Sequence, residues 1–96
     1  MKIDSVEAIP LTAKLKKAQT TSQASYTEIS ICLVRVRTEN GIEGYGECLA
    51  RFAPTAYAEL INTAFAPKLK GKDPWAVDVL WDLMRKTLNG RPAGML

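Results

Sequence analysis

The 96-residue sequence predicts an α+β domain in which a three-stranded antiparallel meander is followed by a helical hairpin. The first two-fifths of the chain read as strands, with apolar and polar residues in imperfect alternation, whereas the remainder repeats its apolar residues at helical spacing. Glycine, proline and asparagine mark the boundaries between these segments. Because no flexible linker or internal repeat interrupts the pattern, we expect a single domain.

Composition and charge exclude several classes of protein. Hydrophobic residues make up 47% and charged residues 24% of the chain, which is typical of a globular domain rather than a disordered one. No apolar run is long enough to span a membrane, and the N-terminus lacks the apolar core of a signal peptide, so we expect a cytoplasmic protein without a membrane partner. The net charge is only +3, with no basic run longer than residues 14–17, so we expect no nucleic-acid partner.

The chain contains two cysteines, Cys32 and Cys48. They are too few for a disulfide framework and too far apart in sequence for a redox or zinc motif. We interpret both as reduced, small, buried hydrophobic residues.

Two strands and a loop are predicted before the first clear turn. The first strand covers residues 2–13, and Pro10 restricts that end to a sheet edge or a bulge. Residues 14–25 are polar and lack any period, which predicts a loop long enough to be functional, although a plain surface excursion is the alternative. The second strand covers residues 26–38.

The second predicted strand changes the parity of its apolar residues halfway along its length. The apolar residues of one face and then of the other are Ile29, Ile31 and Leu33, followed by Cys32, Val34 and Val36. A strand with one solvated face keeps each face chemically uniform, so one end of this strand must be covered on both sides. The pattern therefore predicts contact with something beyond the helices of the domain.

The stretch TENGIEGYGEC, residues 38–48, predicts a β-hairpin with two possible registers. A two-residue Asn-Gly turn would place Arg37 opposite Gly44. A three-residue loop that ends in a left-handed Gly41 would pair Arg37 with Glu43 instead. The second register is favoured because opposite charges then face each other across the strands.

In the favoured register, Gly44 and Gly46 lie opposite Val36 and Val34. Glycine in a strand interior costs roughly 0.5–1 kcal/mol relative to alanine, so its use here indicates that another surface approaches the backbone closely. A neighbouring domain and the domain's own helix are both candidates for that surface.

The first helix is predicted near residues 55–66. Thr55 is placed to cap its N-terminus, and Pro67 is expected to end it. The apolar residues that recur at helical spacing along it are Tyr57, Leu60, Ile61, Ala64 and Phe65.

The second helix is predicted over residues 74–88, with Asp73 as its cap and Pro74 at its first position. Asn89 and Gly90 supply the stop signal. The residues predicted to form its buried stripe are Val77, Leu80, Trp81, Met84 and Leu88.

The sequence contains no evident catalytic or metal-binding motif. It has no histidine, no phosphate-binding glycine loop and no nucleophile beside a base. Asp78 and Asp82 could offer two oxygens to a hard metal ion, but Arg85 and Lys86 lie within a turn, which favours a solvated, salt-bridged face. The GIEGYGE stretch lies in the return strand of a hairpin and not at a strand-to-helix junction, so a dinucleotide site is not predicted.

Two stretches carry a resemblance to a known family: VRVRTENGIEGYGE and LKGKDP. They resemble the hairpin and the second helix start of the N-terminal capping domain of the enolase superfamily, in particular the mandelate racemase and muconate lactonizing enzyme group. The resemblance spans all 96 residues. It implies that residues 1–96 are a capping domain cut at the start of a third helix, near Pro92.

The resemblance further implies a two-domain enzyme whose modified (β/α) barrel, absent from this chain, carries the Mg²⁺ ligands and the acid/base residues. The shared step of the family is removal of the proton α to a carboxylate, with the metal stabilising the developing charge. We therefore expect a racemase, cycloisomerase or sugar-acid dehydratase that acts on a small carboxylate, such as a sugar acid, and forms a homo-oligomer. No catalytic and no metal residue is expected in this chain, which alone should be inactive.

In this family two loops of the capping domain lie over the barrel mouth, and here they correspond to residues 16–25 and 48–54. The side chains that the resemblance assigns to substrate binding are Lys17, Thr20, Thr21, Ser22, Arg51 and Phe52. Two alternatives remain open: Phe52 fills the domain interface, and Arg51 pairs with a barrel carboxylate. For Glu47, a hydrogen bond that holds the end of the hairpin is favoured over contact with substrate.

A freestanding α+β interaction module without catalytic activity is the alternative function. The strand with two apolar faces argues against it, because an unpartnered module would expose that patch to water.

Overall fold

A computed structural model describes residues 1–20, 25–50 and 52–88, with the side chains of residues 15–20 and 25–27 outside the description. The described chain contains one antiparallel sheet of order β1-β2-β3. Its strands are β1 (Ile3–Thr20), β2 (Ser25–Thr38) and β3 (Glu43–Cys48). The predicted meander is thereby confirmed.

The loop predicted over residues 14–25 is wrong for most of its length. β1 continues to Thr20 and pairs with β2 up to Thr20 opposite Ser25, across an irregularity in register between Lys14 and Gln19. The error has a physical cause. Apolar alternation reports burial of one face and not backbone pairing, so a hairpin arm with polar residues on both faces looks like a loop in sequence.

The charge-based register of the second hairpin is confirmed. Arg37 lies opposite Glu43, and the two form an ion pair at 3.0 Å. Gly41 adopts a φ of 86° in the left-handed region and donates its N–H to Thr38 O at 3.0 Å. The Thr38 hydroxyl accepts the N–H of Ile42 at 3.1 Å, which holds the loop closed.

The sheet packs one face against the helices and forms two small apolar clusters there. We call this the inner face. The buried members of the first cluster are Ala8, Cys32, Ala50 and Ala58, and those of the second are Ile3, Phe65 and Leu69. Cys32 is fully buried and Cys48 is half-buried, and both are free thiols. The predicted burial is confirmed for Cys32, whereas Cys48 is only partly covered.

The helical region starts with α1 (Pro54–Leu60), continues through a π-helical turn (Ile61–Phe65) and ends in α2 (Ala66–Leu69). The prediction that Pro67 ends the helix is wrong. In a regular helix a proline ring clashes with the carbonyl four residues earlier. Here the preceding turn is widened, with the N–H of Ala66 donated to Ile61 O, five residues back. The wider turn relieves the clash and lets the chain stay helical to Leu69.

The N-terminus of α1 also differs from the prediction. Ala53 occupies the cap position without a side-chain hydrogen bond, and Pro54 is the first helical residue. Thr55 therefore lies inside the helix and does not cap it. Proline at this position is favourable because its missing N–H would have no partner there anyway.

The last helix, α3 (Val77–Thr87), begins three residues later than predicted. Asp73 accepts the N–H of Trp75 at 3.0 Å and so organises a turn ahead of the helix instead of capping it. The predicted stop at residues 89 and 90 lies outside the described residues.

The predicted stripe on α3 is only partly buried. Leu80, Met84 and Leu88 pack against the second cluster. Val77 and Trp81 are 66% and 59% exposed, so for these two the prediction is wrong. Helical spacing identifies an apolar face, but the sequence does not say whether the surface that covers this face lies in the same chain.

The opposite side of α3 is salt-bridged, as predicted. Asp82 accepts hydrogen bonds or ion pairs from Arg85 at 3.0 Å and Lys86 at 2.8 Å. These two contacts, that of Lys86 first, hold the pKa of Asp82 below its ordinary value. Within the described chain, Asp82 is therefore committed to its own helix and not to a metal ion.

The free edge of β1 is covered by the helical region. Asn62 accepts the N–H of Ala8 at 2.8 Å and donates to the carbonyl of the same residue at 3.0 Å. Ile3 donates to Lys72 O, and Gly71 donates to Ile3 O, both at 2.8 Å. An open strand edge is a template for aggregation, and these four bonds satisfy it at two points.

We expect Asn62→Ala to lower the free energy of unfolding by about 1–3 kcal/mol, because both backbone groups of Ala8 lose their partner in a half-buried setting. Urea unfolding measures the change. The exposed Glu59→Ala on the same helix is the matched control and should cost far less. Equal stability of the two variants would show that the side chain of Asn62 does not hold the edge.

We expect Gly41→Ala to destabilise the fold by about 1–2 kcal/mol, because a β-carbon is unfavourable in the left-handed region. Gly44→Ala is the control, since its β-carbon would meet nothing within 4 Å and its backbone is extended. Thermal unfolding of the two variants distinguishes them. A loss at Gly44 as large as that at Gly41 would contradict the assignment of the turn.

Candidate functional site

The residues predicted to touch substrate are distributed over the two segments that leave the sheet at one end. β3 ends at Cys48, opposite Cys32, whereas β2 begins seven residues before Cys32. At about 3.3 Å per residue, the β1–β2 hairpin thus extends roughly 23 Å beyond β3. The chain that follows β3 leaves the sheet beside the base of this hairpin.

Only some of the residues predicted to bind substrate lie within the described part of the chain. Lys17 and Thr20 lie on β1 and not on a loop, and their side chains are outside the description. Thr21, Ser22 and Arg51 lie outside the described residues. Phe52 is described and is 92% exposed. Within the described chain, Phe52 therefore packs against nothing, and its predicted contacts with substrate or with a second domain stay predictions.

The face of the sheet away from the helices, the outer face, divides into a charged half and an apolar half. The charged half lies near the 39–41 turn, where Arg35 forms ion pairs with Glu7 and with Glu43 at 3.7 Å. Glu7 is the main cause that raises the pKa of the Arg35 guanidinium. The apolar half lies toward the long hairpin and consists of Ile9, Leu11, Ile29, Ile31 and Leu33. The parity switch seen in the sequence corresponds to this division.

The apolar half of the outer face is covered by no element of the described chain. Leu11 and Ile29 are each 44% exposed there. The sequence predicted that one end of β2 is covered on both faces. In the described chain the helices cover its inner face, and its outer face is uncovered. The missing cover is not part of the described residues.

The inner face is incompletely filled on the side of β3. A β-carbon placed at Gly44 or Gly46 would meet nothing within 4 Å. Between Val34 and Val36 of the sheet and Leu80 and Met84 of α3 lies an apolar cavity of about 450 Å³. The sequence left two candidates for the surface that approaches Gly44 and Gly46, a neighbouring domain and the domain's own helix. In the described chain, the helix does not fill the space beside these glycines.

A second cavity, of about 210 Å³, lies beside Gly44 and is lined by Ile42 and Trp75 among others. Trp75 and Leu49 are exposed apolar residues that the sequence interpretation did not single out. A signal was present for Trp75. It follows Asp-Pro directly and lies off the apolar stripe of the helix, where a surface residue would ordinarily be polar.

The described part of the chain offers surfaces for docking and no set of reactive groups. Its cysteine, aspartate and glutamate side chains include no group of three or more that could hold a metal ion. Nor does it contain a helix that is both long and apolar enough to cross a bilayer.

The fold and these surfaces agree with a comparison against known families. The profile of the mandelate racemase / muconate lactonizing enzyme N-terminal domain matches residues 5–95. The chain belongs to this family, and its fold is that of the N-terminal part of enolase-superfamily proteins.

Individual relatives are racemases, epimerases and cycloisomerases. The N-succinyl-L-Arg/Lys racemase of Bacillus cereus is 27% identical over 96% of this chain and 26% of its own length. Its crystal structure superposes with a TM-score of 0.82 at 26% identity, over 97% of this chain and 27% of that one. The muconate lactonizing enzyme of Mycobacterium smegmatis, complexed with muconolactone, gives 0.82 at 30% identity, over 96% and 26%.

A dipeptide epimerase from Enterococcus faecalis, complexed with Mg and the dipeptide L-Leu-L-Tyr, gives a TM-score of 0.73 at 27% identity, over 90% of this chain and 25% of that one. The chain thus spans about a quarter of the length of the relatives that it matches. In those relatives the matched fold is one part of a larger protein.

Proposed function

We propose that residues 1–96 are the capping domain of a two-domain, Mg²⁺-dependent enzyme that removes the proton α to the carboxylate of a small acid. The observation that carries the proposal is the unfilled inner face beside Gly44 and Gly46. Glycines that leave room where the same chain places nothing are suited to the approach of a second domain. Membership of an N-terminal domain family supports the same conclusion.

The metal belongs to the second domain in this proposal. The described acidic residues do not fit Mg²⁺, which needs several oxygen ligands in near-octahedral geometry. Asp82 in particular is occupied by Arg85 and Lys86. When bound in the barrel, the metal would stabilise negative charge on the carboxylate as the proton leaves. No residue of this chain is assigned a part in that proton transfer.

The proposed contribution of this chain is to cover the site and to select the substrate. In the sequence, Thr20, Thr21 and Ser22 follow one another where β1 ends and before β2 begins, and their hydroxyls can donate to and accept from a polar substrate. Lys17 on the adjoining strand and Arg51 after β3 supply positive charge, and a guanidinium binds a carboxylate with two parallel hydrogen bonds.

Phe52 is the apolar part of this proposed lid. Phe52 is 92% exposed, and in this proposal its ring lies at the entrance of the site and excludes water. Excluding water strengthens the electrostatic contacts beneath the lid. Both segments leave the sheet at the same end, so a single surface below them can meet both.

The substrate class follows from the relatives only in outline. The racemase is named for N-succinyl-arginine and N-succinyl-lysine. The epimerase was crystallised with a dipeptide, and the muconate lactonizing enzyme with muconolactone. These share a carboxylate, which we propose as the group bound by this enzyme. A sugar acid, an N-acyl amino acid or a muconate-like diacid each satisfies that requirement.

We expect Arg51→Ala and Thr21→Ala, made in the complete two-domain protein, to lower kcat/KM for the true substrate by 10-fold or more, about 1.4 kcal/mol. Mg²⁺ affinity should be nearly unchanged, because the metal ligands lie in the other domain. Steady-state kinetics and a metal titration measure the two quantities. Lys68→Ala, at an exposed position of α2, is the control and should leave both unchanged.

Unchanged kinetics in both variants would show that the segments 16–25 and 48–54 do not contact the substrate and serve only for packing. Metal-dependent turnover by residues 1–96 alone would contradict the proposal as a whole.

A further inference from the structure

Cys32 and Cys48 are separated by sixteen positions in sequence but lie directly opposite each other in the β2–β3 pairing. Directly opposed residues project from the same face of a sheet, here the inner face. Cys48 packs against the cluster that contains Cys32, and both are free thiols. The chain has no other cysteine. The pair is therefore an isolated cross-strand dithiol.

The geometry of the pair is compatible with a disulfide. Thr38 donates its N–H to Ile42 O at 2.9 Å, which makes these two a hydrogen-bonded pair. Pair types alternate along an antiparallel ladder, so Cys32 and Cys48, six positions further on, are also hydrogen-bonded and about 5.5 Å apart at their α-carbons. Disulfides span α-carbon distances of roughly 4.4–6.8 Å.

Closing the bond needs only a small movement of one strand end. Opposed β-carbons in a sheet lie about 4.5–5.5 Å apart, near the upper value in a hydrogen-bonded pair such as this one, and in a disulfide they lie about 3.5–4.5 Å apart. Cys48 is the last residue of β3, so it is held by the ladder on one side only. Its approach to Cys32 therefore disturbs little of the sheet.

We propose that Cys32 and Cys48 form a reversible intramolecular disulfide when the protein meets a low-molecular-weight disulfide, such as oxidised glutathione. The thiolate of Cys48 attacks one sulfur of the glutathione disulfide and releases one glutathione thiolate, leaving a mixed disulfide on Cys48. The thiolate of Cys32 then attacks the sulfur of Cys48 and releases the second glutathione. The protein loses two protons and two electrons, and the glutathione disulfide is reduced to two thiols.

The two thiols differ in access, which sets the order of the steps. Cys48 is half-buried, whereas Cys32 is fully buried. Burial raises the pKa of the Cys32 thiol, and the neighbouring Cys48 adds to the rise. Because only a thiolate attacks a disulfide, Cys48 reacts first and Cys32 resolves the mixed disulfide from within the cluster.

The bond would join the end of β3 to the central strand immediately before the segment 49–53. If that segment carries lid residues, oxidation restrains the lid; this consequence rests on the proposed function. Formation of the disulfide does not rest on the proposed function, since it depends on the β2–β3 pairing alone. Peptide mapping tests whether the disulfide forms, and enzyme kinetics test whether the segment acts as a lid. Failure of one proposal can therefore be distinguished from failure of the other.

The test uses the intact protein that contains this chain, incubated with oxidised glutathione, blocked with an alkylating agent and digested with trypsin without reduction. Cleavage after lysine and arginine places Cys32 in peptide 18–35 and Cys48 in peptide 38–51. We expect the two peptides joined as one species, lighter by two hydrogens than their sum, and separated again by dithiothreitol.

Two variants control the assignment. Cys48→Ser should abolish the linked species and leave Cys32 free of glutathione. The double substitution Cys32→Ala with Ile31→Cys moves the thiol one residue along β2 and hence to the outer face, so it should lower the yield of linked peptide at least 10-fold. Glutathione that stays on Cys48 with Cys32 still alkylatable would overturn the proposal, as would an equal yield of linked peptide from the double variant.

Discussion

The register between β2 and β3 determines what each face of the sheet presents. With Arg37 opposite Glu43, the ion pairs lie on the outer face and Gly44 and Gly46 lie on the inner one. A slip of β3 by one residue would turn Gly44 and Gly46 to the outer face and place Glu43 and Glu47 on the inner one. The left-handed Gly41 and the hydroxyl of Thr38 hold the loop that prevents this slip. The docking surfaces and the cysteine pair both depend on that loop.

The helical region serves the sheet at its edge as much as at its core. Asn62 and the backbone around Gly71 satisfy the outward-facing groups of β1, so the helices are attached through hydrogen bonds as well as through small apolar clusters. The buried residues are few and mostly small. A domain with a core of this size keeps much of its apolar surface available for another domain.

Much of the fold could be predicted from the sequence because its local signals agree with each other. Charge pairing between Arg37 and Glu43 identified the hairpin register over the alternative two-residue Asn-Gly turn. Signals failed where structure depends on contacts that periodicity does not report. The polar arm of β1 is paired with β2 although its sequence shows no apolar alternation, and Pro67 is tolerated because the preceding turn widens. Val77 and Trp81 do lie on the apolar face of α3, but no part of the described chain covers them.

The candidate site was less accessible to sequence reasoning than the fold. Its residues were assigned through a resemblance, since a lid acts on groups that another domain supplies and therefore carries no catalytic motif of its own. The apolar parity switch in β2 was one of two signals in the residues themselves that indicated a partner surface, the other being Gly44 and Gly46. It corresponds in the structure to the uncovered apolar half of the outer face, at Leu11 and Ile29.

The central claim is that a second domain covers the surfaces this chain leaves open. Hydroxyl-radical footprinting of Trp81, compared between residues 1–96 alone and the complete protein, tests it most directly, because this side chain is 59% exposed here and lines the unfilled cavity. We predict that the oxidation rate of Trp81 falls several-fold in the complete protein. An oxidation rate as high in the complete protein as in the chain alone would contradict the account.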